Sequence, residues 1–161
     1  MTQQIALEAY TKGLVRLLDE TFERVHGIYL DRGTSLFETL ETISAEEASR
    51  PVSATCASIA AQVEHVRFYL EVLGRYARGE AVGKVDWEAS WRLTAVTPEE
   101  WDALKGRLRD THRDILALVG DARTWEVEDA IGGSMAIVAH TAYHLGEIRQ
   151  ALCTIKGGRR S

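Results

Sequence analysis

The sequence predicts an all-α protein, a four-helix bundle with a long first connection that carries short helical pieces. Apolar residues recur every three or four positions over four stretches of roughly 20 to 27 residues, the period of an amphipathic helix. Glycines, prolines and capping residues fall between those stretches, and neither strand-like alternation nor an internal repeat occurs. At 161 residues and 45% hydrophobic content, the chain is long enough to bury a core unaided. Residues 1–156 are read as one domain and 157–161 as a C-terminal tail.

The first helix is expected from Ile5 to about Val25, with Leu7, Leu14, Leu18, Phe22 and Val25 on one face and Gly27 as its stop. A short piece at Leu36-Phe-Glu-Thr-Leu40 follows, capped by Thr34 or Ser35. Ser44-Ala-Glu-Glu47 reads as a capping box that opens one more turn before Arg50-Pro51 breaks it. The second long helix is expected from near Thr55 to Arg78, ending at Gly79, with Ile59, Gln62, His65, Tyr69 and Val72 or Leu73 facing inward. A connector from Gly83 to Thr97 carries Trp87 and Trp91. In Thr97-Pro98-Glu99-Glu100 the threonine serves as N-cap, the proline takes the first helical position and Glu100 the third. The third helix then buries Trp101, Leu104, Leu108, Ile115 and Leu118 and ends at Gly120. A connector with Trp125 leads to the fourth, from near Asp129 to Ile155 with Gly157 beyond its end. Its inner face reads Gly133, Ile137, His140, His144, Ile148 and Ala151.

A formal net charge of −5 argues against nucleic acid as a partner, since phosphate binding needs clustered Lys and Arg. The one basic cluster, Lys156-Gly-Gly-Arg-Arg160, reads as a solvated tail. The N-terminus lacks the basic-then-apolar pattern of a signal peptide. No apolar run approaches the ~20 residues that cross a bilayer, so no membrane partner is expected. Two well-separated cysteines, Cys56 and Cys153, fit a reducing compartment. The expected location is the cytoplasm.

His140 and His144 carry most of the chemical information. Four residues is about one helical turn, so both imidazoles leave one face of the helix, roughly 6 Å apart along its axis. His65 sits on the inward stripe of another helix. Three buried imidazoles without partners would each lose about 1–3 kcal/mol of hydrogen bonding to water, a cost that coordination removes. Three histidines with open positions left over suit a catalytic rather than a structural metal. Zinc peptidases place a general-base glutamate directly after the first histidine; here that position is Thr141, and that machinery is missing. Glu147, one turn beyond His144, has two readings: it orients a histidine or a bound water, or it pairs with an arginine on the surface. Tyr69 and Tyr143 read as core or groove aromatics with hydroxyls available as proton donors. His26 reads as a surface residue or a partner of the helix C-terminus. His112 follows Leu108 by four and precedes Ile115 by three, so an inward fourth imidazole and a non-ligand role both stay open.

Three stretches resemble the DinB/YfiT-like family of metal-dependent four-helix-bundle proteins: Ser35-Leu-Phe-Glu-Thr-Leu40 through Glu46-Glu-Ala-Ser-Arg-Pro51, Ser58-Ile-Ala-Ala-Gln-Val-Glu-His65, and His140-Thr-Ala-Tyr-His144-Leu-Gly-Glu-Ile-Arg149. The connector Asp86-Trp-Glu-Ala-Ser-Trp91 is also similar to that of some members. The resemblance implies a metal triad at His65, His140 and His144. It also implies thiol S-transferase, thiol-dependent isomerase or hydrolase activity, with a low-molecular-weight thiol as cosubstrate in the first two cases.

The expectation is therefore a metal-dependent enzyme holding Zn²⁺, Ni²⁺ or Fe²⁺ and acting on a small molecule, with thiol transfer ahead of hydrolysis. The alternative is a non-catalytic, metal-binding stress-response protein that sequesters a ligand. Trp87, Trp91 and Trp125, large aromatics in connectors, predict a homodimer.

Overall fold

The computed structural model describes residues 5–157, which are all-helical and contain no strand. Six α-helices run in the order α1 (Leu7–Phe22), α2 (Leu36–Leu40), α3 (Ala45–Ser49), α4 (Ile59–Ala77), α5 (Pro98–Gly120) and α6 (Ala130–Gly157). Short 3-10 turns at Trp87–Trp91 and Ala122–Glu126 fill the two connectors around α5. Helix α4 lies against α5 and α6, and α1 lies against the same two, so the four long helices enclose a common core. Leu18, Phe22, Ile59, Leu70, Leu108 and Ile148 are fully buried there.

Capping chemistry sets the starts. Ser35 with Glu38, Ser44 with Glu47 and Thr97 with Glu100 each form a reciprocal capping box, and Pro98 occupies the first turn of α5. Ser35 rather than Thr34 caps α2, and its hydroxyl also donates to the Glu23 carbonyl at 2.9 Å, tying α2 to the end of α1. Helix α4 begins at Ile59, four residues later than its periodicity suggests, because Ser58 caps it by accepting from the Ala61 N–H at 3.2 Å. Gly79, at φ +70°, ends that helix in the left-handed conformation that glycine supplies.

Helix α1 stops at Phe22, well before Gly27. The cause is Glu20, which is fully buried and accepts backbone N–H groups from His26, Ile28, Tyr29 and Leu30 at 2.7–3.0 Å. Burial pushes its carboxyl up, but the amides of Tyr29, Ile28, Leu30 and His26 outweigh that and hold it at about 2. The carboxylate gathers the chain into a loop that further helix would prevent.

Helix α6 includes Gly157, which the sequence reading placed beyond the end, while Arg50 donates to the Ile155 carbonyl at 2.8 Å and satisfies the last turn. The tail beyond Gly157 lies outside the described residues. In α5, Val119 takes the buried position expected of Leu118, which is half-buried. On α6, Gly133 is half-buried. No helix among the described residues is long and apolar enough to cross a membrane. Both cysteines are free and exposed.

The connector tryptophans fold back onto their own chain. Trp87 rests against Phe68 and Tyr69, Trp91 stacks on His65, and Trp125 meets Tyr10 edge-on at 5.4 Å. Trp87 and Trp91 nonetheless stay exposed, and Trp125 is half-buried.

Candidate metal centre

His65 on α4 and His140 and His144 on α6 converge, with one ring nitrogen from each lying within 4.8 Å of the others, close enough to hold a metal ion. The helical period puts all three on facing stripes, and the packing of α4 against α6 brings those stripes together. His65 and His144 are buried and His140 is half-buried.

Hydrogen bonds at the far nitrogens of His65 and His144 define which of their atoms face inward, whereas Nδ1 of His140 is buried without a partner among the described residues. Ser90 donates its single hydroxyl proton to the Trp87 carbonyl at 2.6 Å, so its Oγ accepts from His65 Nδ1–H at 2.7 Å. That leaves the lone pair of His65 on Nε2. His144 Nδ1 lies 2.9 Å from Glu147 Oε2 and 3.4 Å from Gln62 Oε1, two acceptors that hold the proton on Nδ1 and free Nε2 likewise. His65 Nε2 and His140 Nε2 are 3.1 Å apart. Two lone pairs at that distance need a proton or a cation between them. At metal–nitrogen bonds of about 2.0–2.1 Å and tetrahedral angles, two ligand nitrogens sit about 3.3 Å apart, so the spacing fits a shared ion.

Aromatic rings hold the imidazoles in place. Trp91 stacks on His65 with centroids 3.9 Å apart, and Tyr69 stacks on His140 at 3.6 Å. Burial pushes His65 down to about 4, aided by the neighbouring His144 and opposed by Glu147; burial and the two neighbouring imidazoles do the same for His140. Burial also lowers His144, against the pull of Glu147. All three rings are neutral at pH 7, the form that binds metal.

A groove of about 560 Å³ opens beside His144, lined by Gln62, Trp91, Tyr143, Glu147 and Gln150 among others, with Cys56 on its wall. Tyr143 is exposed and hydrogen-bonds Glu147, which raises its hydroxyl pKa. Tyr69 contributes its ring face to His140 and is half-buried.

The other two histidines are elsewhere. His26 pairs with Asp19. His112 does point inward, but it stacks on Phe22 at 4.2 Å and reaches Glu23 with Nδ1 at 3.3 Å; it is not part of the triad. Ser90, Gln62 and Trp91 escaped the sequence reading as site residues. Gln62 stood on the inward stripe three residues before His65, which was a usable signal; the polar connector around Ser90 offered none.

No family model matches the chain, and neither does any curated protein or solved structure.

Proposed function

We propose that His65, His140 and His144 hold one divalent ion, Zn²⁺, Ni²⁺ or Fe²⁺, in a four-helix bundle of the DinB/YfiT-like kind, and that the protein is a metal-dependent enzyme acting on a small molecule. The observation that carries this reading is the pair of fixed tautomers: Ser90 and Glu147 each take an Nδ1 proton and aim the other nitrogen of their histidine at the common point. Imidazole ligands suit all three metals. When bound, such an ion stabilises the deprotonated form of a thiol or water near neutral pH.

The groove beside His144 supports catalysis over sequestration, because a buried ion sealed under side chains would not need it. Thiol transfer leads over hydrolysis on proton handling. Thr141 occupies the position where a peptidase carries its base, and its buried hydroxyl has no hydrogen-bond partner. Glu147 is already engaged by His144 Nδ1 and Tyr143. A thiol, which ionises more readily than water, needs less help from these groups. The experiment is elemental analysis of tag-free wild type and His65→Ala, followed by a panel of thiols with small electrophiles. One metal per chain, lost in the variant, is expected. Equal metal content in both would refute the triad, and turnover of esters without thiol would install the hydrolase reading.

We further propose that the protein pairs with itself through α1 and α6. Helix α6 carries no Asp, Glu, Lys or Arg from Ala130 to Gly146, yet exposes Ile131, Met135 and Tyr143 at four- and eight-residue spacing. An apolar groove of about 410 Å³ between it and α1 is lined by Ala9, Gly13, Leu14, Leu17, Met135 and Val138 among others. Met135 belongs to both ridge and groove, and an isologous two-fold contact sets each copy's Met135 region against the other's groove. Along α1, exposed Glu8, Lys12 and Arg16 follow at four-residue steps. An antiparallel pairing centred near Lys12 sets Glu8 of one copy against Arg16 of the other.

A further inference from the structure

We infer that the apolar cavity at the start of α6 is a binding site for a small hydrophobic amine. The cavity has a volume of about 340 Å³ and lies among the last turns of α4 and α5 and the first two of α6. Leu73, Ile115, Leu118 and Ile137 supply its apolar wall. A cavity of about 150 Å³ with such a lining holds benzene, so this one accommodates an aromatic ring with a short chain. Left unfilled, it forfeits dispersion contacts all along that lining.

Charge and aromatic groups at the rim decide the ligand class. Glu128 and Asp129 stand there, both exposed, and their carboxylates form no ion pair or hydrogen bond among the described residues. No Lys, Arg or His lines the cavity. The guanidinium of the adjacent 3-10 turn, Arg123, is taken by Asp121 at 2.6 Å. Trp125 and Tyr76 also line the cavity, aromatic rings of the kind that attract an ammonium group. Trp125 is held by its indole N–H donating to the Val119 carbonyl at 3.2 Å and by the Tyr10 contact, so that wall is preformed. An apolar interior with an anionic, aromatic mouth takes an ammonium head with an apolar body; a carboxylate would be repelled. The cavity begins one turn from the triad, since Ile137 precedes His140 by three and Leu73 follows Tyr69 by four. A ligand there sits beside the imidazoles and does not depend on a metal.

Asp129 has φ +65°, a conformation that asparagine also tolerates, so the charge can be removed without straining the turn. A Cβ added at Gly133, which lines the cavity, meets nothing within 4 Å, so Gly133→Leu has room to grow inward, and Ala77→Leu fills from the opposite wall. The test is calorimetric titration, with and without metal, using phenethylamine, phenethyl alcohol and hydrocinnamate, with the indole N–H resonance of Trp125 followed by NMR. The amine should bind about five- to tenfold more tightly than the alcohol, shift the Trp125 resonance, and leave the acid weakest. The double variant Glu128→Gln, Asp129→Asn should bring amine down to alcohol. Each filling variant should weaken both by about tenfold or more while keeping its helical circular dichroism. Equal binding of amine and alcohol to wild type would overturn the amine assignment. An unmoved Trp125 resonance, or undiminished binding by both filled variants, would overturn the site itself.

Discussion

Ser90 Oγ lies 2.7 Å from Nδ1 of His65, joining a 3-10 turn in a connector to the helix that carries a candidate ligand. Because the serine proton is spent on the Trp87 carbonyl, the bond has one direction and the imidazole one tautomer. A buried hydroxyl of this kind fixes the ring of the candidate ligand from the side away from the other two imidazoles.

Ser90→Ala should therefore weaken metal binding by about 10-fold or more, the range seen when the support of a ligating histidine is removed. Helical content should be unchanged. Competition with a chromophoric chelator measures the affinity. Wild-type affinity in the variant would show that Trp91 stacking alone orients His65.

Metal removal should lower the melting temperature by several degrees and leave the far-ultraviolet circular dichroism intact. The apolar core, from Leu14 through Ile155, forms without the imidazoles, unlike that of a small zinc finger. Loss of helix on chelation at room temperature would show that the ion is needed for folding.

His112 gives the protein an acid sensitivity separate from the triad. Burial pushes it down to about 4, with Asp19 opposing and Arg109 assisting, while unfolding returns it to about 6.5. The unfolded chain then binds more protons between those two values, so stability is full above pH 6.5 and falls as pH drops toward 4. The change is on the order of 2 to 3 kcal/mol across that window. His112→Phe keeps the stacking on Phe22 and removes Nε2, a buried atom without a partner. Urea titrations at pH 7 and 4.5 should show a smaller difference for the variant than for wild type; equal differences would refute the assignment.

Light scattering at micromolar concentration should give twice the 17.9 kDa chain mass. Met135→Glu, on the uncharged face of α6, should reduce it to one chain mass with unchanged helicity, because a charge buried across a two-fold meets its own copy. A wild-type mass of one chain throughout would reject the pairing.

Local rules made much of this protein legible from its residues. Helical periodicity alone put His65 on one inward stripe and His140 and His144 on another, since a side chain's face depends only on its place in a 3.6-residue turn. Thr97, Pro98 and Glu100 announced α5 for the same reason, a cap being complete within four residues. What the tertiary structure decided was every relation between distant elements. Glu20 ends α1 early because its carboxylate finds four amides up to ten residues away. Ser90 reaches His65 across 25 positions and Gln62 reaches His144 across 82. His112 turns to Glu23 rather than to the triad. The tryptophans rest on rings of their own chain, Trp91 on His65 and Trp125 on Tyr10. No periodicity encodes those partners, because they depend on how whole helices dock, which the summed burial of many side chains determines.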